Sequence, residues 1–223
     1  AGGALTATGG AFLGALAALA LVMALAGGSR RLSGSRLVLA GLTAGYFLSA
    51  ITNLVVVLSD SRDAVRAITF WMLGSLGRSS WPDVPVLACA TALTLGYLVL
   101  RARALDAIGL GDDVARSMGV DPFRLRRSTT AVAALGVAAA VAVSGAIGFV
   151  GLVVPHLARR LVGAAHRALL PAAALLGALV LVAADALART VLAPREIPLG
   201  ILTALVGTPL LMWMMRRHRP QPR

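Results

Sequence analysis

Long charge-free stretches alternate with short polar ones along the whole chain. Residues 1–29, 37–59, 84–100, 128–158, 168–184 and 197–215 contain no Asp, Glu, Lys or Arg. About 20 apolar residues in helical form cross the roughly 30 Å hydrocarbon core of a bilayer, and most of these stretches approach or exceed that length. The pattern predicts spanning helices over 9–27, 37–58, 83–103, 126–144, 149–162, 168–192 and 198–215. The stretch 128–158 is divided because a single helix over it would measure about 46 Å, and Gly145, Gly148, Gly151 and Pro155 interrupt it. Its second part, 149–162, is read as a short span, kinked or tilted. Residues 66–77 predict a short helix near one interface, and 112–118 a short amphipathic helix outside the hydrocarbon. The weak alternating strands of about 10 residues that mark a membrane barrel do not occur.

Composition strengthens this reading. Hydrophobic residues make up 58% of the 223-residue chain and charged residues 13%, about half the usual share of a soluble domain. Too little polar surface remains to cover a water-exposed globule. The fold class expected is an all-α polytopic membrane protein, with about seven transmembrane helices in one domain over 1–223. Gly10/Gly14 and Gly41/Gly45 have the GxxxG spacing that lets membrane helices approach closely, and are expected to do so here.

Charge sets the orientation. The net charge of +12 comes from arginine alone, because the chain has no lysine. Of the 21 arginines, 16 fall in one set of alternate loops, from Arg30 through the group Arg101–Arg127 and Arg159–Arg167 to the C-terminal tail. Basic loops stay in the cytoplasm, so the C-terminus and the polar segment 104–127 are expected there. Topology therefore explains the basic excess without a nucleic-acid partner. The single cysteine, Cys89, lies in an apolar run and forms no internal disulfide or CxxC metal pattern.

Candidate chemistry is sparse. HExxH, GxSxG and P-loop patterns are absent. His156, His166 and His218 have no second ligand at helical spacing. Asp185 and Arg189 stand four apart within one span and share a face; they either neutralise each other or present Arg189 to an acidic partner. Thr43, Ser49, Thr52 and Asn53 give the second span a polar side, suited to interhelical hydrogen bonds or to a pathway. The strongest local signal is GDDVARSMGVDPFRLRR at 111–127. Gly111 and Gly119–Pro122 punctuate a short helix, with Asp112 and Asp113 at its positive end and Arg116 towards its negative end. Val114 and Met118 share one face. A loop so compact either enforces topology with its arginines or docks a cytoplasmic partner.

Several stretches together resemble the FecCD, or type II, ABC importer permease family for iron-siderophore, haem and cobalamin uptake. They are FWMLGSL (70–76), ARSMGV (115–120), SGAIGFVGLVVPHLARRLVG (144–163), HRALLPAAALLGA (166–178), ADALART (184–190) and APREIPLGILTALVGTPLLMWMM (193–215). The resemblance implies a ten-span permease of which the seven spans match the last seven. Three preceding spans are thus expected, in keeping with a chain that opens AGGALTATGG, without Met or a basic leader. It implies a homo- or heterodimer of permeases, two cytoplasmic ATPase subunits and an extracytoplasmic binding protein. Asp112, Val114, Ala115, Arg116, Ser117, Met118 and Gly119 match the family's ATPase-coupling helix. Arg189 matches an arginine that docks the binding protein, and Leu42, Thr43 and Asn53 fall on the pathway-lining helix. The chain itself would be non-catalytic and hold no cofactor, with ATP and magnesium bound by the partner ATPase. The alternative is a secondary carrier or channel without ATP coupling. Such a carrier is expected to show inverted repeats with broken helices and ion-coordinating groups, and no clear repeat is visible.

Overall fold

The computed structural model describes residues 2–26, 34–77, 79–192 and 197–217. Ten helices are described: α1 (Gly2–Ala26), α2 (Gly34–Val57), α3 (Arg62–Met72), α4 (Asp83–Leu100), α5 (Ala102–Gly109), α6 (Asp112–Ser117), α7 (Pro122–Ser144), α8 (Val150–Val162), α9 (His166–Thr190) and α10 (Leu199–Arg217). The described residues contain no strand. Five helices contain segments long and apolar enough to cross a membrane: Gly9–Ala26, Ser35–Val57, Asp83–Leu100, Pro122–Ser144 and His166–Thr190. The expected fifth and seventh spans are shorter. α8 has 13 residues, about 20 Å, and the apolar part of α10 is Leu199–Met214.

The chain divides into two compact units, Ala1–Thr69 with Ser80–Val143, and Phe70–Ser79 with Ser144–Arg223. In the first unit α1 and α2 pair through alanines. Ala26 and Ala40 are buried together, and Val22, Leu37 and Phe123 pack around them. Among the described residues the GxxxG glycines have no close neighbour: a Cβ added at Gly10, Gly14, Gly41 or Gly45 would meet nothing within 4 Å. Alanine at 26, 40 and 44 is already small enough to let the helices meet. Close approach occurs instead at Gly136 of α7, where an added Cβ would sit 2.6 Å from Thr94 Oγ1 of α4.

Boundaries also shift for local reasons. The helix expected over 83–103 stops at Leu100. Arg101 turns out of helical geometry (φ −93°, ψ 3°), and α5 starts at Ala102. The bend lets α5 bury Ala102 and Ala107. α7 begins at Pro122 rather than at 126, because Asp121 caps it. Its carboxylate accepts from the N–H groups of Phe123 (2.9 Å) and Arg124 (3.2 Å), with proline at the first helical position, where no N–H is needed. The interfacial helix expected over 66–77 runs over Arg62–Met72 and ends before Gly74, whose φ is +69°.

The second unit is organised around the break between α7 and α8. Non-helical backbone at membrane depth must find partners inside the protein. Here the Ser75 N–H donates to the Ser144 carbonyl (2.8 Å), and the first N–H groups of α10, Leu199 and Gly200, donate to Gly74 (3.0 Å) and Leu73 (2.9 Å). Three chain segments thus meet backbone to backbone. A Cβ at Gly145 would overlap the Trp71 carbonyl oxygen, and one at Gly200 the Leu73 carbonyl oxygen. Leu199 beside them is 1% exposed. Phe149 then opens α8 with φ +65°, and its carbonyl accepts from Leu152 and Val153. α8, α9 and α10 pack mutually beyond this junction.

Candidate functional site

The segment 104–127 folds into the end of α5, all of α6 and the first turns of α7. Gly111 takes φ +119° to turn the chain into α6, a geometry that costs a side-chain-bearing residue. Gly119 ends α6 with φ +78°. The Val120 N–H reaches back to the Ala115 carbonyl (2.9 Å) and the Gly119 N–H to Arg116 (3.0 Å). This is the paired Schellman arrangement that satisfies the last carbonyls of a helix. Asp121 starts α7 two residues later, so two consecutive helices are capped within one short turn.

Salt bridges fasten the turn. Arg126 of α7 donates through Nη2 to Asp112 Oδ1 (2.7 Å) and through Nη1 to Oδ2 (2.9 Å). The pair is half-exposed and two-pronged, the geometry that makes Arg–carboxylate contacts specific. The hydrogen bond from Arg126 holds the Asp112 carboxyl below its ordinary value, outweighing the opposite effect of desolvation. Arg116 Nη1 donates to Asp113 Oδ1 at 2.7 Å on the open surface, where such a pair contributes little. The Ser117 hydroxyl donates to the Val114 carbonyl (2.8 Å).

What this frame presents is apolar. Ala115 is 0% exposed and anchors α6, while Val114 (42%) and Met118 (62%) project into the open, with Leu110 exposed beside them. A short helix that turns apolar side chains outward among charges has the composition of a contact surface. Behind it lies a groove of about 380 Å³, lined by Tyr97, Arg101, Val120, Asp121, Arg124 and Ser128. Asp112, Val114, Ala115, Arg116, Ser117, Met118 and Gly119 are therefore gathered in one capped turn, with Ala115 facing inward. Arg126 and Asp121 hold that turn, a role the sequence did not assign to either. The Asp121-Pro122 pair before an apolar run is a helix-start signal that could have revealed the cap.

The other candidates lie elsewhere. Near the C-terminal end of α9, Arg189 donates to Asp185 through Nε (2.8 Å) and Nη2 (3.3 Å), so the two residues of this motif are paired within their own helix. On α2, Leu42, Thr43 and Asn53 are exposed, while Ala40 and Ala44 are buried. At 100° per residue Leu42 and Asn53 share a face, and Thr43 lies about a quarter-turn away. His156 donates from Nδ1 to the Leu152 carbonyl of its own helix (2.7 Å). Cys89 is exposed on α4.

Five long apolar helices with outward-facing side chains, and a helix break whose backbone groups pair within the chain, define an all-helical, multi-pass membrane protein. The FecCD transport family model matches residues 2–217. The chain therefore belongs to the FecCD transport family. It is 42% identical over 214 residues to the hemin transport system permease of Yersinia pestis, covering 95% of this chain and 63% of that one. It is 37% identical to the Fe(3+)-citrate import system permease of Bacillus subtilis strain 168 (94% and 62% covered). It is 41% identical to the cobalamin import system permease of Halobacterium salinarum (92% and 55% covered). The chain thus spans about six tenths of the length of these relatives. A solved metal-chelate type ABC transporter in an inward-facing conformation superposes with a TM-score of 0.84 at 32% identity, covering 96% of this chain and 72% of that one.

Proposed function

We propose that the chain forms a membrane-embedded permease part of an ABC importer that moves a metal chelate inward, driven by a separate ATPase subunit. The observation that carries this reading is the capped α6 turn with Val114 and Met118 exposed. A surface that must transmit force from a moving partner has to be stiff, and here two helix caps and the Asp112–Arg126 bridge supply the stiffness. The similar permeases named for hemin, Fe(3+)-citrate and cobalamin support a chelate as cargo.

In this reading α6 sits in the cytoplasm against the ATPase, and the arginine-rich C-terminus lies on the same side. ATP and magnesium are bound by the ATPase, and the permease makes and breaks no bond in its cargo. A second permease copy, identical or homologous, closes the pathway, and the exposed face of α2 with Leu42, Thr43 and Asn53 lines it. Arg189, at the end of α9 remote from the basic helix ends, receives an acidic residue of an extracytoplasmic binding protein. The test is co-purification of a P-loop ATPase with the permease. Joint substitution Arg116→Ala and Met118→Ala is expected to abolish it. ATPase association that survives deletion of 111–120 would overturn the assignment.

A further inference from the structure

A half-open cleft of about 270 Å³ runs between α8, α9 and α10. Val153 and Leu157 of α8, Ala183 and Leu187 of α9, and Val206 and Leu210 of α10 line it, and almost no polar atom reaches it. Leu187 and Val206 on its rim are exposed. Along α10 the lining runs from Leu202 to Leu210, about 12 Å, close to the roughly 15 Å depth of one leaflet.

One end of the cleft is basic. The C-terminal ends of α8 and α10 and the start of α9 lie together, because Arg160 of α8 places its guanidinium carbon 5.8 Å from the centroid of the Trp213 ring of α10. Arg159, Arg160, Arg167 and Arg216 are exposed at this end. Among the described residues of this unit the only acid is Asp185, 19 residues along α9 from His166 and so about 28 Å away. Trp213 is the kind of amphipathic ring that settles at the headgroup level.

We propose that this cleft seats one anionic phospholipid, with an acyl chain between α8 and α10 and the phosphate on Arg159, Arg160 and Arg216. Apolar walls of leaflet depth suit the chain, and an arginine cluster with no acid close to it among the described residues of its unit suits the anionic headgroup. A second copy placed symmetrically over the same face would instead bring arginines against arginines.

The experiment is native mass spectrometry of the full chain released from micelles containing equal phosphatidylglycerol and phosphatidylcholine. One phosphatidylglycerol is expected to be retained in preference to phosphatidylcholine. Arg159→Gln with Arg160→Gln should lower its retention about five-fold per arginine removed, while the corresponding double lysine variant keeps it. Ala183→Phe, which fills the cleft, should lower retention of both lipids. Equal retention of the two lipids, or unchanged retention in the glutamine variant, overturns the proposal. So does retention in the double lysine variant that falls as far as in the glutamine variant. Displacement of the lipid by inorganic phosphate with Ala183→Phe silent would assign the arginines to a free anion. A dimer that becomes monomeric in Ala183→Phe would assign the cleft to a second copy. Loss of ATPase co-purification with lipid retention intact would assign the arginines to that protein. Each of these three also overturns it.

Discussion

Asp112 and Arg126, fourteen residues apart, meet in a two-pronged salt bridge at 2.7 and 2.9 Å that ties the start of α6 to the first turns of α7. Neither the caps nor the apolar anchor Ala115 crosses between these two helices in the same way. Arg126→Gln is expected to loosen the turn without unfolding the spans, because local openings need only the local bonds. Amide exchange over 112–121 should quicken several-fold, while exchange in α9 stays as in the parent. Unchanged exchange at 112–121 would show that the caps alone fix the turn.

The same bridge gives the turn a dependence on pH. In the folded chain the Asp112 carboxyl titrates below its ordinary value of 3.8, chiefly because it accepts hydrogen bonds from Arg126. A depressed carboxylate contributes stability that is fully present above its unfolded value and is lost as pH falls through the folded one. Protection of 112–121 should therefore hold at neutral pH and decline only below about 3.8. Asp112→Asn should remove that acid step. An acid step of the same size in Asp112→Asn would assign it to other carboxylates.

The α7–α8 break yields a sharper contrast. Gly145→Ala places a methyl on the Trp71 carbonyl oxygen at a φ of +71°. A side chain in that backbone region alone costs on the order of 1–3 kcal/mol, and the overlap adds to it. Gly148→Ala, three residues on, meets nothing within 4 Å. Thermal unfolding in detergent should show a large loss for the first and little change for the second. Equal losses would mean that glycine flexibility, not close approach, governs the break.

Asp121→Ala removes a cap that accepts from two N–H groups. A lost cap typically costs about 1 kcal/mol. Exchange should rise in the first turn of α7, and Asp121→Asn, which keeps the acceptor, should restore protection. A variant that matches the parent in exchange would show that Pro122 suffices to start the helix.

The spans were legible because a charge-free run of bilayer length has few alternatives to a helix. The punctuation of the turn by Gly111 and Gly119–Pro122 was also legible, since it acts over a few residues, but the cap that Asp121 places on α7 was missed. What was hidden is non-local. Arg126 looked like one more topological arginine until the fold brought it to Asp112. The bend at Arg101 leaves almost no mark, because its N–H still donates to Tyr97 and Leu98. GxxxG spacing shows that two helices can approach, not which helix is opposite, and among the described residues nothing lies within 4 Å of those glycines. Among the described residues Gly74, Gly136, Gly145, Gly200 and Gly207 make the close contacts, and no spacing rule distinguishes them from Gly148 or Gly151.

The junction of residues 73–75, 144–146 and 199–200 is joined almost wholly by main-chain atoms. Amide and carbonyl groups are common to nearly every amino acid, so such a seam is indifferent to side-chain chemistry and responsive only to bulk. Leu73 contributes its carbonyl, and many residue types could stand in its place. Gly200, which meets that carbonyl, cannot admit a single methyl group. Two neighbours in space thus fall under opposite rules of substitution, one permissive and one strict, though neither side chain takes part in the bond that joins them.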